Sequence, residues 1–212
     1  MDPSALSAQA FDALADRYLA KFGDLTCYDQ SYLVFCNGLK PGQAKVLDCA
    51  CGPGHVAKYL LKQRPDLELL GIDLAPRMVE LARAAVPSAQ FMVHDCRDLF
   101  ALERHFDGMI CAFGLPYLSP EEALALIAAA ERVLLPGGMF YLSTLLGPST
   151  DSGMLHCSTG KVVHVYYHSE EVLLQALELH GFSVLMQQQI SSPATASQVT
   201  MDLILIAKKM TD

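Results

Sequence analysis

The sequence predicts an α/β fold, a three-layer sandwich in which helices cover both faces of a mostly parallel seven-stranded sheet. Three observations carry that expectation. Beyond residue 40, short apolar β-type runs alternate with amphipathic helical runs, the pattern of a parallel sheet with crossover helices. The run Val46-Leu47-Asp48-Cys49-Ala50-Cys51-Gly52-Pro53-Gly54-His55 reads as a buried strand entering a glycine turn that opens a helix. At the end of the chain, Phe182–Gln189 and Thr200–Ala207 are two strand-like runs joined by a polar loop, hence an antiparallel hairpin at the sheet edge.

The elements follow in order. Leu6, Ala10, Leu14, Tyr18 and Phe22 recur at helical spacing over residues 4–22, and a second short helix covers 28–38, stopping at Asn37-Gly38. Strands are expected at 45–49, 68–73, 90–94, 107–112 and 138–144, with helices at 55–64, 76–85 and 120–135. Ser119-Pro120-Glu121-Glu122 forms a capping box with proline at the first helical position. Ser169-Glu170-Glu171 opens a further helix that Gly181 closes, its acids set against the positive end of the helix dipole.

With 212 residues, 52% hydrophobic and 18% charged, the chain fits one compact domain: a helical N-terminal cover over 1–40, the α/β body, and an insertion at 145–168. The formal charge is −8, with no basic run beyond Lys208-Lys209, so a nucleic-acid footprint is not expected. Met1-Asp2-Pro3-Ser4 carries an acid and no basic flank, unlike a secretory leader. No apolar run reaches the ~18 residues of a membrane span. Seven scattered cysteines suit reduced thiols, and the expected compartment is the cytoplasm.

Which cofactor the glycine turn serves is the central question. Gly52-x-Gly54-x-x-Ala57, with Asp73 ending the next strand, matches the dinucleotide fingerprint, but that motif alone is weak. Asp48 stands just before the turn, where a pyrophosphate is repelled and a cationic ligand is welcome. The third strand ends on a second acid, Asp95-Cys96, and Leu135-Pro136-Gly137-Gly138 leads into the fifth strand. On these residues the chain resembles the class I S-adenosylmethionine-dependent methyltransferases across roughly 40–207. The family's first motif stands as Asp48-Cys49-Ala50-Cys51-Gly52-Pro53-Gly54, with Ala50 in place of its first glycine. Its second stands as Asp73-Leu74-Ala75-Pro76-Arg77-Met78, its third as Asp95-Cys96, and its turn before strand five as Pro136-Gly137-Gly138.

The resemblance implies a Rossmann-like sheet of order 3-2-1-4-5-7-6 and S-adenosyl-L-methionine as cofactor. It implies a cofactor site of Asp48, Ala50, Cys51, Gly52, Gly54, Asp73, Leu74, Met78, Asp95, Cys96, Ala112 and Phe113. In that site Asp73 accepts from the ribose hydroxyls, Asp95 accepts from the adenine amino group and the Cys96 N–H donates to a ring nitrogen. Leu74 and Met78 sandwich the adenine, while free N–H groups at Gly52–His55 meet the methionine carboxylate. Other readings of the same residues stay open: Asp48 as a cap of the turn, Met78 as plain core.

The segment after strand four flanks the methyl in this family, here Ala112-Phe113-Gly114-Leu115-Pro116-Tyr117. It lacks the Asn/Asp-Pro-Pro-Tyr of amine-methylating branches and the acids of magnesium-assisted ones, so a small organic acceptor is expected. The insertion 145–168 is expected to cover the substrate, its end Val162–His168 extended with His164, Tyr166 and His168 on one face. An edge hairpin with one wet face is the other reading. Tyr117 and His164 are the candidate catalytic residues, and Tyr18, Tyr28, Tyr117 and His164, with Tyr32, the candidate substrate lining. No metal is expected, neither at Cys49/Cys51 nor at Cys157/His164/His168. A non-catalytic S-adenosylmethionine-binding module and an NAD-dependent oxidoreductase are the competing functions. Neither a membrane nor a nucleic-acid partner is expected, and monomer and homodimer are equally compatible with the sequence.

Overall fold

The computed structural model describes residues 2–22, 26–156, 161–193 and 200–211. Two N-terminal helices, α1 (Pro3–Phe22) and α2 (Asp29–Gly38), precede an alternating body. It runs β1 (Lys45–Cys49), α3 (His55–Gln63), β2 (Glu68–Asp73), α4 (Pro76–Ala85), β3 (Gln90–Val93), β4 (Phe106–Ala112), α5 (Pro120–Val133) and β5 (Leu134–Leu146). The insertion forms β6 (Gly153–His156) and β7 (Val162–Val165); then come α6 (Glu170–Leu179), β8 (Phe182–Ser191) and β9 (Met201–Lys209).

The main sheet has seven strands in the order β3-β2-β1-β4-β5-β9-β8. Counting only those strands, this is the 3-2-1-4-5-7-6 order that the resemblance implied. β9 lies antiparallel between β5 and β8, and the remaining neighbours are parallel. The chain winds outward through β2 and β3, then returns to the other side of β1, so the carboxyl ends of β1 and β4 flank a topological switch point. Ligands of open α/β sheets bind at such points.

Alternation along the strands feeds two cores. Val46, Ile110, Tyr141, Ile204 and Ile206 face the layer of α2, α3 and α4. Leu47, Met109, Phe140, Leu142 and Leu205 face α5 and α6. Both faces of the sheet are buried, which is why its central strands read as near-continuous apolar runs. The capping box is formed: Ser119 Oγ accepts from the Glu122 N–H and the Glu122 carboxylate accepts from the Ser119 N–H.

Two expectations are corrected. Helix α5 ends at Val133, and β5 begins at once at Leu134, so Pro136-Gly137-Gly138 lies inside a strand. Its turn character survives as a bulge: Phe106 pairs with Leu134 but Gly108 with Met139, and Gly137 takes φ 75°, which glycine permits without a Cβ clash. The extended segment ends at Val165, not His168. β7 pairs with β6, and Val163 and Val165 are buried beside Ala10 of α1. His168 belongs elsewhere, buried with its Nδ1 2.8 Å from Thr144 Oγ1.

Candidate functional site

Two chambers open at the carboxyl ends of β1, β2, β3 and β4. The first, with an open volume of about 740 Å³ counted to its mouth, is lined among others by Gly52, Asp73, Leu74, Met78, Asp95 and Cys96, and by Tyr117. The second, about 1080 Å³ on the same measure, is lined among others by Tyr28, Tyr32, Cys51, Pro53, Tyr59 and Lys58. Tyr18, Ala50, Gly52, Ala112 and Phe113 border both, so these five residues form the throat between them.

The throat is built from strained backbone. Ala50 (φ 54°) and Phe113 (φ 57°) hold the left-handed conformation, which non-glycine residues adopt at a cost. Ala50 thus preserves the turn although it stands where the family has glycine. Phe113 is held by its N–H donating to Ser143 Oγ at 3.0 Å. Strain of this kind gathers at ligand sites. Gly114 follows it because nothing larger fits: a Cβ there would lie 2.6 Å from Cys111 Sγ and 2.9 Å from the Ala50 Cβ. At Gly52, by contrast, an added Cβ would meet nothing within 4 Å, so that stretch of backbone is open to the chambers.

The acids divide into three environments. Asp73 Oδ2 accepts from the Gly52 N–H at 2.8 Å and Oδ1 from the Ala75 N–H at 2.9 Å, tying the glycine turn to the start of α4. Burial raises its pKa, against the lowering effect of the Ala75, Gly52 and Leu74 amides. Burial also pushes Asp95 up, but hydrogen bonds and charge from Arg97 outweigh it and hold the carboxyl below its ordinary value. Asp48 is 1% exposed and lines neither chamber. Burial and the Asp73 charge hold its pKa well up, opposed by the amide of Ala57 in the first turn of α3, and among the described residues its Oδ2 has no hydrogen-bond partner.

Helix α1 roofs the first chamber with Ser4, Ser7, Ala8 and Phe11. The Arg97 guanidinium reaches Asp2 (2.8 Å), Asp95 (2.6 Å) and Glu122 (2.7 Å), joining the start of α1 to β3 and α5. Ser4 Oγ donates to the Tyr117 carbonyl at 2.8 Å, and the Arg77 N–H donates to Asp12 Oδ1 at 2.7 Å. Phe11 meets the Tyr117 ring edge-on at 4.7 Å. Shielding from water, with the Asp73 charge adding to it, lifts the Tyr18 hydroxyl to about 12.

Of the residues named from sequence, Ala50, Gly52, Asp73, Leu74, Met78, Asp95, Cys96, Ala112, Phe113, Tyr18 and Tyr117 line the first chamber, and Cys51, Tyr28 and Tyr32 the second. Gly54 lines neither; its left-handed backbone (φ 89°) packs against Ala82 of α4. His164 also lines neither. With Val163 and Val165 turned to α1, its ring falls on the opposite face and meets the Tyr166 ring at 4.2 Å, tilted by 39°, while its backbone exchanges hydrogen bonds with Ser7. The expected amide cluster is also reduced, since the Gly52 N–H goes to Asp73 and the Gly54 N–H to the Cys51 carbonyl. Cys157 lies outside the described residues, and among those described no group of three or more His, Cys, Asp or Glu is set to hold a metal. No described helix is long and apolar enough to cross a membrane. Sequence reading missed Arg97 and Asp202. The first stands beside the Asp95-Cys96 motif, and the second is a lone acid opening the apolar run Leu203–Ala207, a signal that could have found it.

Residues 46–138 match the family model described as a methyltransferase domain. The chain is 30% identical over 161 residues to demethylmenaquinone methyltransferase of Thermotoga maritima, covering 74% of this chain and 66% of that protein. It is 32% identical over 127 residues to the corresponding enzyme of Deinococcus radiodurans, covering 58% and 49%. The chain thus spans about half to two thirds of the length of these relatives. Among solved structures, magnesium protoporphyrin IX methyltransferase from Synechocystis with bound S-adenosylmethionine superposes with a TM-score of 0.72 at 20% identity, covering 99% of this chain and 98% of that one. Motif order, sheet order and these matches agree: the chain belongs to the class I S-adenosylmethionine-dependent methyltransferase family.

Proposed function

We propose that this protein binds S-adenosylmethionine across the two chambers and methylates a small organic acceptor. The observation that carries the reading is the ring of groups at the carboxyl ends of β2, β3 and β4. Asp73 and Asp95 are carboxylates suited to ribose hydroxyls and an exocyclic amine; Leu74 and Met78 supply apolar walls for a planar base; the Gly52 backbone lies open at the throat. The donor set therefore fits the cofactor. In this reading Asp73, Leu74, Met78, Asp95 and Cys96 hold the adenosyl end. Ala50, Cys51 and Gly52 shape the methionine end, with Gly54 fixing the turn and Asp48 buried beneath it. Ala112 and Phe113 floor the reacting centre.

When bound, the cofactor supplies a methyl group already activated on a positive sulfur. The protein's work is then alignment and exclusion of water. The roof of α1 and the tight throat at Phe113-Gly114 serve both ends, and Tyr117 stands at the wall where the first chamber meets that roof. The second chamber, ringed by Tyr28, Tyr32, Tyr59 and Phe113, receives the acceptor. The relatives are named for methylating a demethylmenaquinone and a magnesium porphyrin, planar ring compounds that suit such walls in kind. His164 takes no part.

Two measurements test the proposal. Mass spectrometry of ligand retained by the purified protein should find S-adenosylmethionine or S-adenosylhomocysteine, and a nicotinamide dinucleotide in its place would overturn the cofactor. Tyr117→Ala should lower turnover on an acceptor found by metabolite screening while leaving S-adenosylhomocysteine affinity nearly intact. Full turnover in that variant would remove Tyr117 from the site, and methyl transfer to tRNA or DNA in the same screen would overturn the acceptor class.

A further inference from the structure

The second chamber has one polar feature that cofactor binding does not use. Asp202, on β9 opposite Leu145 of β5, is 1% exposed. Among the described residues its carboxylate is held by two hydroxyls, Tyr28 Oη at 2.6 Å on Oδ2 and Thr200 Oγ1 at 3.3 Å on Oδ1. The titratable groups facing it are Tyr28 and Cys27 from the start of α2, Tyr141 from β5 and Tyr167 beyond β7, none of them a cation. A buried carboxylate without a cation is costly to a fold, and its presence calls for a reason.

The Tyr28–Asp202 separation falls in the range of about 2.5–2.7 Å typical of a hydroxyl donating to an ionised carboxylate. The tyrosine's single proton is thus committed inward, and Oη has only lone pairs to offer outward. Tyr28 is itself only 4% exposed, and what it shows to solvent belongs to the chamber wall. Tyr28 lines the second chamber with its ring centroid 4.9 Å from that of Phe113 at the throat, and the exposed Cys27 lies beside its hydroxyl.

We propose that the second chamber selects an acceptor bearing a hydroxyl on a planar ring, held by that hydroxyl donating to Tyr28 Oη, with Asp202 as the terminal proton sink. The polarity of the pair excludes a carbonyl or ether oxygen at this point, since neither can donate. For activation, the acceptor's O–H proton passes to Tyr28 Oη as the tyrosine's own proton passes to Asp202 Oδ2. The acceptor becomes an oxyanion, Asp202 becomes neutral and the total charge is unchanged. Burial raises the pKa of Asp202, against the Tyr28 and Thr200 hydrogen bonds, which makes it a stronger proton acceptor than an exposed aspartate. This inference rests on the reading of the second chamber as the acceptor side.

The test uses p-nitrophenol and p-nitroanisole, which share a ring and differ in the donor. Their binding is measured with saturating S-adenosylhomocysteine over a pH range spanning the phenol's ionisation. Below that ionisation the wild type should bind the phenol about tenfold tighter than the ether, the size of one donated hydrogen bond. The preference should fall as the phenol ionises, because the phenolate has no proton to give and meets the Asp202 charge. Tyr28→Phe, which keeps the ring packing, should bring the two probes within about twofold. Asp202→Asn should retain the phenol while relaxing the penalty on the phenolate. Equal affinity for the two probes in the wild type, or a full preference in Tyr28→Phe, would overturn the inference. S-adenosylhomocysteine binding, read in the same titrations, separates the cases: its absence strikes the proposed function, and its presence without a phenol preference strikes only the relay. Should Asp202→Asn fail to fold, the Tyr28→Phe comparison carries the test alone.

Discussion

Replacing Asp73 by Ala removes one side chain with two roles, and the structure separates their sizes. In the protein alone, the carboxylate accepts from the Gly52 and Ala75 amides at 2.8 and 2.9 Å. A fully buried bond to a charged group contributes about 1.5–3 kcal/mol. Asp73 is only half-buried in an open chamber, and water can take over both amides once the carboxylate is gone, so the loss shrinks to about 2 kcal/mol in total. For a domain of this size, that lowers the melting temperature by about 4–8 °C. If Asp73 also holds the ribose hydroxyls, S-adenosylhomocysteine binding weakens by a further 1–3 kcal/mol or so, a rise in Kd of about 5- to 150-fold. Thermal unfolding without ligand reads the first number, and calorimetric titration well below the variant's melting temperature reads the second. A folded Asp73→Ala protein with wild-type melting and a wild-type Kd would refute both the geometry of the turn and its place in the site.

Other perturbations probe the same turn. Ala50→Gly relieves left-handed strain of about 1–2 kcal/mol, offset by about 0.5–1 kcal/mol of added chain entropy in the unfolded state. A net gain of roughly 0.5–1 kcal/mol is expected in urea unfolding, and a loss would mean that Ala50 is not strained. Asp48→Asn should stabilise the ligand-free protein at pH 7 by on the order of 1 kcal/mol, because a buried carboxylate with an orphaned oxygen is replaced by a neutral amide. The sign follows from a folded pKa held above the unfolded value of 3.8. The stability due to Asp48 is complete below that value and is lost as the pH rises through the folded pKa, so the advantage of Asn should vanish on acidification. An advantage independent of pH would contradict a buried ionisable Asp48.

The body of the fold was legible because parallel strands with crossover helices leave a strong periodic record, and the glycine turn with Asp73 and Asp95 marks three successive strand ends. Local chemistry predicted local structure well: the Ser119 capping box formed, and Ala50 kept the turn of a glycine. What was not legible depends on distant segments meeting. The face on which His164 falls was decided by α1 packing on Val163 and Val165, which no alternation rule within 162–168 contains. Arg97 gains its meaning from Asp2, 95 residues away, and Tyr28 from Asp202, 174 residues away. The Pro136-Gly137-Gly138 run was read as a turn before the fifth strand, and it lies inside that strand as a bulge. Whether such a break ends a strand or bulges within it is settled by the pairing of β4 with β5, outside its own sequence.

The glycine turn serves a sulfonium nucleoside and not a dinucleotide. The Gly52 amide, which a pyrophosphate would need, is already taken by Asp73, and Asp48 lies buried beneath the same turn. Isothermal titration of the purified, ligand-stripped protein with S-adenosylmethionine, S-adenosylhomocysteine and NAD in parallel tests it most directly. Both sulfur compounds should bind saturably, and NAD should give no heat. Micromolar NAD binding with no response to either sulfur compound would contradict it.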